Sequence, residues 1–125
     1  MSDSPSTPDL DLSFLYDIAD GSNEFVIESI DMLLKQAPES LQSIEESIKT
    51  QDWVTAAAAA HKLKPSMGFF GMLVSQELLQ EIEILSKAGG EDPAKIASSF
   101  SQAKQIIEDN LKSLVVIKAE KEAEL

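Results

Sequence analysis

The one histidine of the chain, His61, is the side chain with the widest chemical range in this sequence. An imidazole acts as a nucleophile and carries protons near neutral pH, and the chain has no cysteine to share that role. Residues 53–76 contain no Asp or Glu, although the chain has 22 acidic residues, and the stretch has two lysines, Lys62 and Lys64. A strongly acidic chain therefore has one locally positive strip, and His61 lies inside it.

The spacing around His61 predicts a helix that directs the imidazole away from the core. Apolar or small residues recur every three or four positions, at Trp53, Ala56, Ala60, Leu63 and Met67. If this stripe is buried, His61 projects about 120° away from it, because successive helical residues are rotated by about 100°. The face that His61 occupies carries mostly small residues and one cation: Val54, Ala57, Ala58, Lys64, Pro65 and Gly68.

Lys64 can bring its ammonium beside the imidazole, whereas Lys62 points another way as a solvated charge. This pairing disfavours a second cation on the ring but suits an attached anion, such as a phosphoryl group with a charge of about −1.5 to −2. Structural explanations compete with this one. A lone helical histidine is usually structural or solvated, Lys64 can simply extend along the surface, and Gly68 and Gly71 can simply form a turn.

Hydrophobic periodicity predicts helices throughout and no strands. Capping aspartates, proline and glycine mark the ends of the helices. Asp52 is a candidate N-cap, Asp92-Pro93 starts the last helix, and Gly89-Gly90 stops the one before it. Pro38 lies inside a stripe that stays in phase, which favours a kink over a break. We predict an all-α fold, an antiparallel up-and-down four-helix bundle with a short extra N-terminal helix, over residues 9–120. We expect residues 1–8 to form a disordered tail and residues 121–125 to form a frayed end.

Composition excludes several classes of function. A net charge of −12 with no arginine argues against nucleic acid or anionic lipid as partners. The absence of cysteine, together with a single histidine, excludes zinc knuckles and multi-histidine metal sites, so we expect no metal and no cofactor. No apolar run approaches the roughly 20 residues of a membrane span, and the first residues do not resemble a secretory signal. The expected location is the cytoplasm.

The string AHKLKPSMGFFG resembles the signature of histidine-containing phosphotransfer (HPt) domains. The matching positions are Ala60, His61, Leu63, Lys64, Pro65, Ser66 and Gly71, with Ile82 and Glu83 at the distance of a pair on the following helix. Two positions depart from the common pattern: Pro65 stands where glycine is usual, and Met67 replaces a frequent second serine. Proline also removes the N–H that would bond the carbonyl of His61, so we expect the helix to bend just after it.

The resemblance implies that His61 Nε2 takes a phosphoryl group from a receiver-domain phosphoaspartate and passes it to another receiver. Lys64 would stabilise that group, Ser66 could donate a hydrogen bond to it, and Glu83 would accept a hydrogen bond from the Nδ1–H of His61. The competing interpretation of Glu83 is an ordinary solvated charge. The implied partners are receiver domains of a hybrid histidine kinase and of a response regulator. We expect the domain to have no kinase activity of its own, to be a monomer, and to rely on magnesium held by the receiver.

The predicted docking surface surrounds His61 with small side chains: Ala57, Ala58, Pro65 and Gly68. Three apolar residues nearer the N-terminus, Phe14, Ile18 and Phe25, are candidates to complete it, although each is a plausible core residue. A different class of function remains open at this point. The chain could be a non-catalytic helical adaptor that binds a signalling partner through the alanine-rich face of residues 56–60.

Overall fold

Five helices make up most of residues 9–125, the part of the chain that the computed structural model describes. They are α1 (Ser13–Ala19), α2 (Asn23–Thr50), α3 (Trp53–Phe69), α4 (Leu73–Lys87) and α5 (Pro93–Ala123). This confirms the all-α prediction, with one short helix before four longer ones. The predicted tail, residues 1–8, lies outside the described residues. Helix α5 ends at Ala123, three residues beyond the boundary predicted for the bundle.

Side chains predicted from the sequence cap the helix starts. Asp52 accepts a hydrogen bond from the backbone N–H of Thr55 at 3.2 Å, and Asp92 accepts one from Lys95 at 3.1 Å with Pro93 as the next residue. Each carboxylate satisfies a backbone donor that the first helical turn leaves free.

The two prolines in helix interiors, Pro38 and Pro65, leave those helices unbroken. Helix α2 runs through Pro38, and α3 runs through Pro65. Gly68 lies in the last turn of α3, and its carbonyl accepts the N–H of Gly71 at 3.1 Å, so it takes part in the turn that ends the helix together with Phe70 and Gly71. Gly71 has a φ of +68°, and a side chain there would collide with the backbone of Asp11.

The four long helices form a ring of contacts. Helix α3 packs between α2 and α4, α5 packs against the same two helices from the other side, and α1 lies against α2. Fully buried aliphatic side chains from all four long helices fill the centre, among them Ile30, Leu63, Ile82 and Ile107. Within residues 9–125, no helix combines the length and apolar character that a membrane span requires.

A carboxylate from the N-terminal segment caps α4 from a distance in sequence. The residue before α4, Met72, makes no side-chain cap. Instead, Asp9 accepts the N–H of Val74 at 2.7 Å and that of Ser75 at 2.9 Å. The backbone oxygen of Asp9 accepts a bond from Asn110 Nδ2 at 2.9 Å. The N-terminal segment is thus tied to both α4 and α5, and Asp9 is buried by these contacts.

Replacing Asp9 should lower stability although Asp9 lies outside every helix. Asp9→Ala leaves two N–H groups of α4 without their acceptor, and we expect a loss of about 1–3 kcal/mol in the free energy of unfolding. Urea denaturation followed by circular dichroism measures it. The control is Asp17→Ala, which removes an exposed carboxylate from α1 and should change stability by less than about 0.5 kcal/mol. Equal losses in both variants would contradict the capping role.

Candidate functional site

His61 lies on the side of α3 that faces α4, and its ring is open to solvent. The side chain is 67% exposed, and its Nδ1 atom lies 2.9 Å from Oε2 of Glu83 on α4. An ionised carboxylate only accepts hydrogen bonds, so Nδ1 must carry the proton of this bond. In the neutral ring, Nε2 then has no proton and keeps its lone pair, which is the state that a nucleophilic imidazole requires.

The carboxylate of Glu83 is buried, and three donors from two helices hold it. Lys64 Nζ lies 2.8 Å from Oε1, and Lys87 Nζ lies 2.8 Å from Oε2, the oxygen that also faces His61. The hydrogen bond from Lys64, then the one from Lys87, lowers the pKa of Glu83 from 4.5 to about 2; burial opposes this shift, and the bond from His61 adds to it. The alternative interpretation of Glu83 as a solvated charge is wrong, because only 4% of the residue is exposed.

Helical spacing explains how these groups meet. His61 and Lys64 are three residues apart on α3, and Gln80, Glu83 and Lys87 follow one another at intervals of three and four on α4. Residues at these intervals share a helical face, so the two rows meet where α3 packs against α4. Ala57 and Ala60 lie on the buried side of α3, and their small side chains let the helices approach closely.

Lys64 is less exposed than its position in the sequence suggested. Only 21% of its side chain is exposed, and its ammonium bonds both Glu83 and the Oε1 atom of Gln80. Lys64 contributes to packing and charge balance at the α3–α4 contact, in addition to lying near the imidazole.

An open depression of about 770 Å³ adjoins the imidazole. Trp53 and Val54 line it on α3, Lys87 lines it on α4, and His61 borders it. Ser86 also lines it, and its buried hydroxyl has no hydrogen-bond partner among residues 9–125. No group of His, Cys, Asp and Glu side chains in this part of the chain could hold a metal ion. The arrangement provides a nucleophilic nitrogen, a fixed proton and nearby cations.

A family model, the Hpt domain, matches residues 28–114, which is more than two thirds of the chain. The chain belongs to the Hpt domain family. Searches of curated proteins and of solved structures gave no match. Membership of the Hpt family implies a phosphotransfer role in a phosphorelay. The matched residues include His61, Lys64 and Glu83, all named from the sequence.

The predicted docking residues differ in their accessibility. Ala58 and Pro65 are exposed, and Gly68 is half-buried. Ala57 is only 5% exposed, so it offers little contact surface, although it lines the depression that His61 borders. The exposed surface beside His61 is therefore smaller than predicted, because Ala57 adds little to it.

An apolar groove between α2 and α3 lies on the other side of Pro65. Phe25, Met32, Pro65 and Phe69 line this α2–α3 groove, which has a volume of about 390 Å³. The ring of Phe14 packs edge-on against Phe69, with the two centroids 5.5 Å apart. Phe14 and Ile18 are 53% and 47% exposed, so the alternative that they are core residues is wrong. Phe25 is half-buried.

Ser66 is turned away from the imidazole. Its hydroxyl donates a hydrogen bond of 2.7 Å to Oε1 of Gln36, which joins α3 to α2. In this structure the hydroxyl therefore bonds neither its own backbone nor a group at His61. Pro65, one residue earlier, has no N–H to offer the carbonyl of His61.

Two side chains of the site, Lys87 and Gln80, were missed by sequence reasoning. The signal for Lys87 was present in the sequence, because Glu83 and Lys87 have the i,i+4 spacing of a helical ion pair. Gln80 precedes Glu83 by three residues and so shares its face. Neither signal carried weight while the direction of that face of α4 was unknown.

Protonation of Glu83 should destabilise the fold in acid. Its folded-state pKa of about 2 lies below the usual 4.5, so its stabilising effect is complete above pH 4.5 and is lost as the pH falls through about 2. Urea unfolding at a series of pH values from 7 to 2 measures this. Glu83→Gln should be less stable at pH 7 and should lose less stability across this window. The control, Glu77→Gln on the exposed face of α4, should follow the wild-type profile; a Glu83→Gln profile parallel to wild type would contradict the assignment.

Proposed function

We propose that this Hpt domain is a phosphocarrier that accepts a phosphoryl group on His61 from the phosphoaspartate of one receiver domain and passes it to another. The hydrogen bond of 2.9 Å between His61 Nδ1 and the buried Glu83 carboxylate carries this proposal, because it leaves the exposed Nε2 with a free lone pair. The family match supports the phosphorelay role, and the geometry supports the choice of atom.

The proposed reaction forms one bond and breaks one. The Nε2 lone pair attacks the phosphorus, the new N–P bond forms, and the P–O bond to the aspartyl carboxylate breaks as that carboxylate leaves with the electron pair. The Nδ1 proton stays on the ring throughout. The ring gains positive charge as the bond forms, and Glu83, 2.9 Å from Nδ1, offsets it. Transfer to the second receiver is the same step in reverse.

Lys64 acts through charge in this proposal. Its ammonium lies 2.8 Å from Glu83 and on the same helical face as His61, so it holds the carboxylate and adds positive potential where the phosphoryl group arrives. Lys64 thus combines the role implied by the resemblance with a positioning role that the sequence did not suggest. The reaction draws on the receiver for magnesium and for its phosphoaspartate, and the domain needs no kinase activity of its own.

We infer that receivers dock over the exposed small residues beside His61 and the α2–α3 groove. Ala58 and Pro65 have short side chains that leave room for a receiver to reach His61. Phe14 and Ile18 offer exposed apolar surface of the kind that marks protein interfaces. The partners are receiver domains of a hybrid kinase and of a response regulator. The up-and-down antiparallel order of the long helices, the bundle limits of residues 9–120, a monomeric state and a cytoplasmic location belong to the same proposal.

The adaptor alternative finds less support than the carrier. It requires residues 56–60 to form a binding face, but Ala56 and Ala60 are fully buried and Ala57 is nearly so. These alanines serve helix packing. The exposed residue that remains on this segment is chiefly Ala58, which lies three positions before His61 and lines the same depression.

A phosphorylated receiver should label wild-type protein and leave His61→Gln unlabelled. The label should be stable in base and labile in acid, as expected of a phosphorus–nitrogen bond. Gel electrophoresis with a radioactive phosphoryl donor measures the transfer, and circular dichroism verifies that His61→Gln is folded. Equal labelling of both proteins, or none in either across several receivers, would overturn the carrier proposal and favour the adaptor.

Replacing Ala58 by arginine should block the receiver without unfolding the bundle. Ala58→Arg adds a long side chain to the exposed surface beside His61, so we expect the transfer rate to fall at least about tenfold while stability changes by less than about 1 kcal/mol. Stopped-flow or gel-based transfer assays measure the rate. Ala97→Arg, on the exposed face of α5, adds the same group elsewhere and should transfer normally. Undiminished transfer in Ala58→Arg would move the docking surface away from this face.

A further inference from the structure

Lys87 shares one oxygen atom with the phosphoacceptor ring. Its Nζ lies 2.8 Å from Oε2 of Glu83, and His61 Nδ1 lies 2.9 Å from the same atom. Lys64 binds the other oxygen, Oε1, at 2.8 Å. The two lysines also differ in burial, since 65% of the Lys87 side chain is exposed against 21% for Lys64. Lys87 therefore shares an acceptor atom, Oε2 of Glu83, with the imidazole. Because its side chain is mostly exposed, it can be replaced without disturbing the packing of α3 against α4.

A carboxylate beside a histidine both helps and hinders a nucleophilic ring. It holds the Nδ1 proton in place, but its negative charge also favours a second proton on the ring. An imidazolium carries protons on both nitrogens, so Nε2 loses the lone pair that attacks phosphorus. A cation on the same carboxylate oxygen weakens the pull of Glu83 on that second proton and leaves the first hydrogen bond in place.

The charged groups around the imidazole come from both helices of the contact. Helix α4 contributes Glu83 and Lys87, α3 contributes Lys64, and Asp52 lines the depression that His61 borders. The charged residues of α2 nearest α3 are Lys35 and Glu39, which line a separate groove together with Lys62. Among residues 9–125, Glu83 is thus the one carboxylate in hydrogen-bond contact with the ring. The ammonium groups of Lys64 and Lys87 together carry one more unit of charge than this carboxylate.

We propose that Lys87 is a positioning residue for the phosphoacceptor: by sharing Oε2 of Glu83 with His61, it limits the pull of that carboxylate on a second ring proton and keeps Nε2 free. This inference rests on the proposed function, because it assigns Lys87 a part in the same transfer. It gives Lys87 a role separate from that of Lys64, which holds the opposite oxygen inside the packed contact.

The ring nitrogens of His61 report the effect directly. The chain has one histidine, so nitrogen NMR of uniformly labelled protein follows a single imidazole through a pH titration. Lys87→Ala should move the midpoint of that titration upward by about half a pH unit, the size expected for a unit charge acting over about 5 Å through a water-like medium. Lys87→Arg keeps the charge and should restore the wild-type midpoint.

The matched control is Lys95→Ala. Lys95 is also an exposed lysine paired with a glutamate of α4, in this case Glu81 at 3.4 Å, and that pair does not include His61. Its removal should leave the midpoint unchanged. An unchanged midpoint in Lys87→Ala, or an equal shift in Lys95→Ala, would overturn the inference.

Phosphorylation by phosphoramidate, without any receiver, tests the consequence for reactivity. The N–P bond to Nε2 forms as the donor P–N bond breaks and ammonia leaves. The pH at which the rate reaches half its maximum should rise in Lys87→Ala by the same amount as the NMR midpoint and return in Lys87→Arg. A slower rate at every pH with an unchanged midpoint would overturn the inference. Absence of labelling of the wild type here and with receivers would overturn the proposed function instead, and the NMR result would be unaffected.

Discussion

An ionised carboxylate buried between two helices is the constraint on which the rest of the site depends. Removing a charge from water is costly unless partners replace the lost hydration, and Glu83 has three: Lys64, Lys87 and His61. The histidine tautomer follows from this arrangement, because the carboxylate accepts a hydrogen bond from the nearer ring nitrogen, Nδ1, and leaves Nε2 facing solvent. Reactivity at the surface is thus determined by an interaction beneath it.

The bundle supports this interaction by packing α3 against α4, with alanine at several buried positions of α3. Ala56 and Ala60 have no exposed surface, and neither needs the space that a larger side chain would take. The Glu83 carboxylate can then reach across to His61 and Lys64 while Ile82, its neighbour in sequence, remains in the core. The alanine run is therefore a condition for the site rather than a binding face.

Local patterns explain why most of the fold could be predicted from the sequence. Apolar residues at helical spacing and caps such as Asp52 and Asp92 act within a few residues, so they can be recognised without knowing the tertiary structure. The site was predictable only in part. His61 stood out by its uniqueness, but the burial of Glu83 depends on which face of α4 turns toward α3, and so does the burial of Ala57, which lies on the same side of α3 as His61. The cap supplied by Asp9 left no local signal, because the N–H groups that it accepts from begin 65 residues away, at Val74.

The long-range contacts of Asp9 tie the start of the described chain to its far end. The bond between Asp9 and Asn110 joins residues 101 positions apart, so it forms only at the entropy cost of closing that loop. The segment that this bond holds leads directly into α1, whose Phe14 packs against Phe69. An aromatic surface built in this way exists only where the two ends of the bundle have been brought together, so a partner that binds it distinguishes a closed bundle from an open one.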